Sequence, residues 1–461
     1  MTISASIYIL LLSFLASIVL NGFFRNIAKN NKILIDLPDK SRKFHLRATP
    51  LTGGISIFAA CFLSAFLLEG LSDLTGIHLQ TNINNETLEK DNNFLDQTVS
   101  KKYQINKKNY EVLIDKNQVP ENLAVEVFSE NIPISSLRII PMADNQFEVI
   151  LPDNSSSIYK YNNGEITELV TKSFPITASS IESFGLKLDY FSFSILFCGA
   201  ILIIFMLFDD LKGIKPRFRL LFQAAIALLM IFMSGAALRD LGDIFGLGVI
   251  NLGYLSTIFT IFCIVGLINA FNMSDGLNGI CASFGVIPLS MIMLFTNAQY
   301  GLLVPIGALL GFLAYNLGYF GKKRSVFLGD HGSNAIGFTV VMILIDATQI
   351  EQIMNSVTAL WLVALPMLDC LGVIVSRVHR GIQPFRPGRD HLHHKLLDKG
   401  FSSESILGIF ILSSIALSCV GFGLEYLYPL KEFLSFYLFI LFSSAYFVFI
   451  KTKLTNNAEH I

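Results

Sequence analysis

Long apolar runs dominate this sequence and constrain its fold more than any other feature. A helix of about 20 apolar residues crosses a bilayer, and eleven stretches fit that description. They are residues 4–24, 51–71, 190–208, 218–238, 251–269, 279–296, 300–319, 333–347, 356–376, 405–424 and 432–450. Charged residues make up 15% of the chain, whereas soluble domains have about a quarter. The sequence therefore predicts an all-α polytopic membrane protein with about eleven transmembrane helices.

The charge balance and the cysteines exclude several kinds of protein. A formal net charge of −1 leaves no basic field for nucleic acid, which we do not expect as a partner. All six cysteines fall in apolar segments, so neither a disulfide framework nor a thiolate metal site is indicated. The first apolar stretch lacks the basic start and cleavage site of a secretory signal, and we expect it to remain as a helix.

Lysine and arginine are unevenly distributed between the segments that join the apolar stretches. With the N-terminus outside, the inward segments and their flanks carry 22 of the 34 basic residues, and the short outward loops carry two. The other ten are in one long outward insert. Because short cytoplasmic loops are enriched in Lys and Arg, we predict that the N-terminus is outside and the C-terminus inside.

The insert, residues 73–189, differs in composition from the rest of the chain. It has 17 acidic and 10 basic residues. Apolar and polar residues alternate over 110–114, 123–128, 147–151 and 158–161, with turn signals between them. We predict a small β-rich extracytoplasmic domain without a catalytic role. It separates residues 1–72, with two helices and a cytoplasmic loop, from residues 190–461, with the other helices and the catalytic loops.

Polar motifs in five separate inward segments contain the candidate catalytic and binding residues of this sequence. Their acids, amides, imidazoles and guanidiniums share one predicted face of the membrane, which indicates an enzyme site at its cytoplasmic surface. The motif residues are Asp36, Arg42, Lys43 and His45; Asp209 and Asp210; Asn269, Asn272, Asp275 and Gly276; Asp330; and Arg389, His391, His393 and His394.

The acids and amides suit a divalent cation, although each has a simpler explanation. Oxygen-bearing side chains in the 269–275 motif recur at i, i+3 and i+6, near one helix face, and hard oxygen ligands suit Mg²⁺. Helix capping is the alternative. Asp209 and Asp210 end an apolar helix, where the dipole disfavours acids, and an interfacial stop signal is the alternative. Asp330 precedes a helix and either meets the cation or serves as a plain N-cap.

The cationic clusters also have two explanations. The 42–45 cluster suits either phosphate binding or an ordinary positive-inside loop. Three imidazoles within residues 391–394 contribute little to topology at pH 7, which favours a functional role, and no Cys or spaced carboxylate completes a zinc site. Asp369 lies inside an apolar stretch and must face protein or a polar cavity. We expect a structural partner for it, either Arg377 or an inward helix end, with direct catalysis as the alternative.

These groups together point to phosphoryl transfer between a soluble nucleotide donor and a lipid acceptor. An intramembrane prenyltransferase would need two spaced Asp-rich motifs, and only one adjacent pair is present. A transporter of lipid-linked sugars or ions would have broken helices with charges at the midplane. The charges here instead cluster at one predicted surface.

In their order and predicted side, the motifs resemble those of the polyprenyl-phosphate N-acetylhexosamine-1-phosphate transferase family, which includes MraY, TagO and WecA. The resemblance covers the whole chain except the insert. It rests on Asp209-Asp210, Asn-x-x-Asn272-x-x-Asp275-Gly, Phe-x-Gly-Asp330-x-Gly-Ser and the histidine loop 384–394. That loop and the eleven predicted spans are more similar to WecA-type undecaprenyl-phosphate GlcNAc-1-phosphate transferases than to MraY-type enzymes with ten spans.

The resemblance implies a reaction in the bacterial inner (cytoplasmic) membrane. Undecaprenyl phosphate attacks the sugar-proximal phosphorus of a UDP-N-acetylhexosamine, and UDP-GlcNAc is the expected donor. UMP leaves, and the lipid-linked sugar starts an O-antigen or related surface glycan. Phospho-MurNAc-pentapeptide transfer, or another UDP-sugar, is the alternative. The cofactor is Mg²⁺, with Mn²⁺ as the alternative ion, and the resemblance leaves open a homodimer.

The resemblance also assigns roles to residues that match its motifs. Asn272 and Asp330 would hold the metal. Asp209 and Asp210 would act near the acceptor phosphate, with Asp209 as the expected general base. The remaining implied site residues are His391, His393 and His394 in catalysis at the pyrophosphate; Arg219 and Arg389 in binding it; Asp275, Gly276 and Asn278 at the nucleotide end; and Arg42, Lys43 and His45 in nucleotide or pyrophosphate binding.

The sequence departs from the family pattern in two places. WecA-like enzymes usually read Asp-Gly-x-Asp-Gly where this chain has Asp275-Gly-Leu-Asn278-Gly. The second acid is therefore neutral here, which puts any catalytic role of that charge in doubt. The outward insert 73–189 has no family template.

Overall fold

The computed structural model describes residues 3–37, 47–75, 190–296, 300–383, 388–427 and 432–453, together with strands between 98 and 172. The chain divides into two compact units. One comprises Met1–Leu79 with Ser180–Ile461, and the other is Gln80–Ser179.

The described part of the first unit is built from helices. They are α1 Ile3–Asn31, α2 Gly53–Thr75, α3 Tyr190–Lys212, α4 Pro216–Ser234, α5 Ser256–Ser274, α6 Ile280–Phe295, α7 Leu303–Asn316, α8 Asp330–Ile345, α9 Ser356–Leu362, α10 Ala364–His379, α11 Leu392–Asp398, α12 Ser403–Leu427 and α13 Glu432–Lys453. Two short strands, β1 Ile35–Asp36 and β2 Thr49–Pro50, pair between α1 and α2.

Seven of the described helices are long and apolar enough to cross a membrane. Three more apolar helices are shorter: α6, α7 and the Gly53–Leu68 part of α2. The first unit is therefore that of an all-α, multi-pass membrane protein. The count of eleven spans stays a prediction.

The predicted continuous helix over 356–376 is wrong, because the structure breaks it at Val363. Helices α9 and α10 meet there at 78°. Pro366 explains the break. In an unbroken helix its ring would clash with the carbonyl of Leu362, whereas in the first turn of α10 its missing N–H is tolerated. The chain turns at Val363 and places Asp369 on the second, differently directed helix.

Helix α8 lies at the centre of the first unit. In its candidate span 78% of the residues are buried, against 17–39% in the other long helices. Large side chains that are fully buried, such as Phe271, Phe312 and Phe338, pack in the core around it. A central helix surrounded by others brings its N-terminal residue, Asp330, close to the ends of several neighbours.

Helices α1 and α7 pack closely through small polar side chains. Ser13 Oγ donates to the backbone oxygen of Val304 at 2.6 Å, and Ser17 Oγ donates to that of Ala308 at 2.7 Å. Small residues allow helix backbones to approach each other, and hydroxyls satisfy their hydrogen bonds across the contact, as is common between helices in lipid.

In the described residues of the second unit, the strands form two antiparallel sheets of four strands each. One has the order β3-β4-β5-β6, and the other β10-β9-β8-β7. The strands are β3 Thr98–Ile105, β4 Lys108–Asp115, β5 Val125–Ser129, β6 Ile132–Pro133, β7 Arg138–Met142, β8 Gln146–Ile150, β9 Ser156–Asn162 and β10 Glu165–Lys172. The four alternating stretches of the sequence overlap β4, β5, β8 and β9 in position. The extracytoplasmic location of this unit stays a prediction.

Candidate active site

One guanidinium joins acids from two distant parts of the chain. Arg219, in the first turn of α4, donates through Nη1 to Asp209 Oδ2 at 2.8 Å and to Asp330 Oδ2 at 3.0 Å. The other oxygen of Asp209 accepts the backbone N–H of Ile214 at 2.5 Å. Asp209 is buried at the end of α3, so its charge requires such partners.

Asp210 points at the N-terminus of α8. Its carboxylate accepts the backbone N–H of Asp330 at 3.1 Å and lies 2.5 Å from His331 Nδ1. A carboxylate is favoured where a helix presents unpaired N–H groups and a positive dipole end. The alternative explanation of Asp330, a plain N-cap, does not hold, because Gly329 is the N-cap residue and the side chain that reaches the first helical N–H groups is that of Asp210.

The start of α8 depends on a contact between two glycines. A Cβ on Gly54, in the first turn of α2, would lie 2.3 Å from the Cα of Gly332 and 2.7 Å from His331 Cδ2. The backbones of α2 and α8 can approach this closely only because neither residue has a side chain. This contact fixes His331 and the first turn of α8 beside the Asp210 carboxylate.

The polar side chains of α5 extend the cluster. Asn272 Nδ2 donates to Ser333 Oγ at 2.9 Å, and Ser333 Oγ in turn donates to the backbone oxygen of Asp330 at 3.2 Å. One turn earlier, Asn269 donates to Gln223 Oε1 at 2.7 Å. Gln223 in turn donates to Asn334 Oδ1 at 2.6 Å, which connects α5, α4 and α8 through buried amides.

The turn after α5 carries Asp275, whose carboxyl group is affected by the charges of two other acids of the site. Desolvation by the surrounding protein, followed by the charges of Asp330 and Asp210, raises the pKa of Asp275 well above its usual value. Carboxylates held this close repel each other, which favours a bound cation. Asn278, three residues on, instead donates from Nδ2 to the backbone oxygen of Asn316 at 3.0 Å.

Asp369 holds the histidine loop. Its Oδ2 lies 2.8 Å from His391 Nδ1, and its Oδ1 accepts the backbone N–H of Leu392 at 2.8 Å. Of the two structural partners expected for Asp369, Arg377 or an inward helix end, the structure shows the helix end, which is the first residue of α11. Arg377 Nε donates to Asp390 Oδ2 at 3.0 Å. Burial opposes the charge of Asp390, but the hydrogen bond and charge of Arg377 outweigh it and lower the pKa of Asp390.

The other two histidines of this loop are held as neutral rings. Burial, followed by the charge of His394, lowers the pKa of His393 to about 3. Burial, followed by the charges of Arg389 and His391, lowers the pKa of His394 to about 4. A Cβ on Gly276 would lie 2.0 Å from His393 Nε2. The glycine after Asp275 thus allows the histidine loop to touch the turn after α5.

The structure brings most of the predicted residues into one region. Asp209, Asp210, Arg219, Asn272 and Asp330 form one connected cluster. Gly276 lies against His393, which stacks on His391 and whose ring centre is 4.2 Å from that of His394. Arg389 is half exposed and forms an ion pair of 3.4 Å with Asp398. Arg42, Lys43 and His45 lie outside the described residues, and Asp36 is in β1.

Sequence reasoning missed three partners in this region. Gln223 was detectable as an amide in an apolar helix, because a polar group in lipid needs a partner. His331 stood inside a recognised motif without an assigned role. The contact of Asp369 with His391 depends on the helix break, for which Pro366 was the local signal, and on the direction of α10 after it.

The arrangement combines anionic oxygens, cationic groups and neutral imidazoles at the ends of apolar helices. Such a set can bind a cation and a polyphosphate together, next to the lipid that surrounds the helices. No group of three or more His, Cys, Asp or Glu side chains in the described part of the chain has the arrangement of a metal site.

The chain is similar in sequence to one protein family and to several named transferases. The family described as glycosyl transferase family 4 matches residues 192–348. An Escherichia coli (strain K12) protein named undecaprenyl-phosphate alpha-N-acetylglucosaminyl 1-phosphate transferase is 35% identical over 253 residues, which cover 53% of this chain and 68% of that protein. Proteins of the same name from Yersinia pestis and Haemophilus influenzae are 34% and 37% identical, with 58% and 54% of this chain and 73% and 72% of theirs covered.

Proposed function

Because this chain belongs to glycosyl transferase family 4, we propose that it transfers N-acetylglucosamine 1-phosphate from UDP-N-acetylglucosamine to undecaprenyl phosphate. UMP is released and undecaprenyl-diphosphate-GlcNAc is formed, the first step of an O-antigen or related surface glycan. The names of the relatives support the acceptor and the transferred group. The UDP donor and the pathway follow from the family resemblance.

The observation that carries the proposal is the Arg219 bridge between Asp209 and Asp330. These acids are 121 residues apart in the chain, yet one nitrogen atom contacts both. The aspartate pair and the Gly-Asp330 motif therefore belong to one site, as a phosphotransferase requires. A transporter with charges at the membrane midplane is not favoured, because Asp369, beyond the helix break, pairs with the histidine loop.

The residues present fit a divalent cation. The Asp330 side chain is 44% exposed, and the hydrogen bond of Asn272 to Ser333 uses the amide nitrogen rather than the oxygen. Mg²⁺ needs only one or two protein ligands when phosphate and water supply the rest. Asp330 and Asn272 would hold Mg²⁺, or Mn²⁺, and the ion would neutralise charge on the pyrophosphate.

The remaining residues have separate roles in this proposal. Asp209 acts as general base towards the acceptor phosphate, and Asp210 keeps the first turn of α8 in place beside it. Asp275 and Gly276 face the nucleotide end. Arg219 and Arg389 neutralise the charge of the pyrophosphate, and His391, His393 and His394 orient it through hydrogen bonds.

We place the reaction at the cytoplasmic surface of a bacterial inner membrane. Under this topology the N-terminus and the insert lie outside, and the basic segments 25–50 and 377–404 lie inside. A soluble nucleotide reaches the site from the cytoplasm, and the bilayer delivers the lipid phosphate to the same boundary.

The test is UMP release by purified protein with undecaprenyl phosphate and each of a panel of UDP-sugars. We expect release with UDP-GlcNAc, loss of release with EDTA, and recovery with added Mg²⁺. Asp330→Asn should lose activity while keeping its thermal midpoint. The proposal fails if no UDP-N-acetylhexosamine yields UMP, and the metal role fails if Asp330→Asn is fully active.

A further inference from the structure

The contact of Asp369 with His391 goes beyond the roles assigned so far. Asp369 belongs to α10, beyond the break at Val363, and its side chain is only 9% exposed. Its two oxygens hold two different groups. One lies 2.8 Å from His391 Nδ1, and the other accepts the N–H of Leu392 at 2.8 Å.

This geometry determines where the His391 ring carries its proton. An ionised carboxylate can only accept hydrogen bonds, so Nδ1 of His391 must be the protonated nitrogen. In the neutral ring Nε2 then has a free lone pair, and it lies on the side of the ring away from Asp369. Fixing a tautomer through the other ring nitrogen is a known way to prepare a histidine for catalysis or binding.

Among the described residues, Asp369 is the side chain whose oxygen contacts Nδ1 of His391. His393 stacks parallel to His391 at 5.7 Å between ring centres. Arg377 is engaged by Asp390. The charged or titratable groups around the pair in the described part of the chain include Cys370, Arg377, Asp390, His393, His394, Lys395 and Tyr446.

We infer that Asp369 is a positioning residue, which fixes the tautomer and orientation of His391 so that Nε2 is presented to the phosphate being transferred. The inference rests on the proposed function. Asp369 itself touches no substrate, and it acts through His391. The helix break serves this arrangement, because it directs α10 so that a carboxylate from within an apolar segment meets the start of α11.

The variant that separates positioning from anchoring is Asp369→Asn. Its Oδ1 can still accept the N–H of Leu392, but its NH₂ group faces Nδ1 and forces the proton of His391 to Nε2. We expect kcat to fall by about 10²-fold or more, the range of a lost acid–base contribution, while KM for UDP-GlcNAc changes little.

Asp390→Asn is the matched control. It weakens the other anchor of the same loop, the ion pair with Arg377, and leaves the carboxylate on His391. If Asp369 were only an anchor, both variants would lose activity alike, mainly through KM and the thermal midpoint, and that result would overturn the inference. His391→Ala should remove most of the effect of Asp369→Asn. If the activity losses of the two single variants multiply in the double variant, the two residues act independently, and that result would also overturn the inference.

A readout independent of turnover keeps this inference separate from the proposed function. ¹⁵N NMR of histidine-labelled protein in lipid at pH 8, with the signals of His391 assigned by their loss in His391→Gln, reports which ring nitrogen is protonated. We expect Nδ1–H in the wild type and Nε2–H in Asp369→Asn. Nε2–H in the wild type contradicts the inference even if UMP is released. If the spectra are as expected but no UMP is released, the proposed function fails, and the catalytic part of the inference fails with it. The effect of Asp369 on the tautomer of His391 would still stand.

Discussion

The side-chain amide of Asn278 donates a hydrogen bond of 3.0 Å to the backbone oxygen of Asn316. The side chain of Asn316 completes the link, since its Oδ1 accepts the N–H of Gly279 at 2.7 Å and its Nδ2 donates to the oxygen of Val326 at 2.9 Å. Asn278 therefore fastens the turn after α5 to the end of α7. The amide donor is what this contact uses, and an aspartate cannot supply it.

WecA-like enzymes usually have an aspartate at the position of Asn278. The variant Asn278→Asp tests whether the site still uses a carboxylate there or whether the asparagine serves a structural contact instead. The variant places a carboxylate against the backbone oxygen of Asn316, and we expect a loss of about 1–3 kcal/mol in stability. UMP release should not increase. Asn278→Ala, which removes the donor without adding charge, is the control and should lose less. A faster Asn278→Asp enzyme would instead mean that the site uses a carboxylate at this position.

Removal of the Arg219 side chain should destabilise the protein and abolish activity. Arg219→Met leaves Asp209, whose side chain is 4% exposed, without its cation. Breaking a buried ion pair costs about 3–5 kcal/mol, and we expect the lower end because the Arg219 side chain is 25% exposed. The thermal midpoint of the detergent-solubilised protein and UMP release measure the two effects.

Two variants control for charge and for general surface effects. Arg219→Lys should retain more stability than Arg219→Met, because a single nitrogen makes both acid contacts and an ammonium group can replace it. Arg380→Met breaks a partly exposed pair of 3.5 Å with Asp390, which is worth at most about 1 kcal/mol. Equal losses in Arg219→Met and Arg380→Met would contradict a special role for the bridge.

The protein should lose stability in mild acid because of its neutral histidines. The pKa of His393 is about 3 in the fold against 6.5 normally, so the unfolded chain takes up the proton first. Stability is fully present above pH 6.5 and falls as the pH is lowered towards 3, by up to about 1.4 kcal/mol per unit. His393→Gln should reduce the drop in thermal midpoint between pH 7 and pH 5, as measured at constant ionic strength. An unchanged drop would mean that His393 is protonated in the folded protein.

The sequence predicted the acids of the site but not how they are joined. Asp209, Asp210, Asn272 and Asp330 each stood in a recognisable local motif, and their order matched a family. The bridge through Arg219 links residues 111 positions apart, and no local pattern specifies such a contact. Long-range pairing is set by the packing of α8 at the centre of the unit, which hydropathy alone does not reveal.

The helix break shows the same limit for the fold. Hydropathy over 356–376 is continuous, so a single span was predicted. Pro366 was the available signal, since a proline cannot continue a helix without a clash four residues earlier. The consequence of the break, a carboxylate of α10 against the imidazole of His391, depends on the direction that α10 takes after Val363. Local sequence patterns do not determine that direction.

Replacement of Gln80–Ser179 by a short linker should leave UMP release largely intact. This segment forms a compact unit of its own, and the contacts described above for the site are made by residues between 53 and 398 that lie outside this segment. Activity should therefore depend on the helical unit alone.

The deletion is informative only beside two controls. The shortened protein should keep the thermal midpoint of the helical unit, and Asp330→Asn introduced into it should abolish UMP release, as in the full chain. A folded deletion that has lost activity would show that the insert contributes to the site or to delivery of the lipid. In that case the outward location of the insert would itself be in question, because a domain on the opposite surface has no direct route to Asp330.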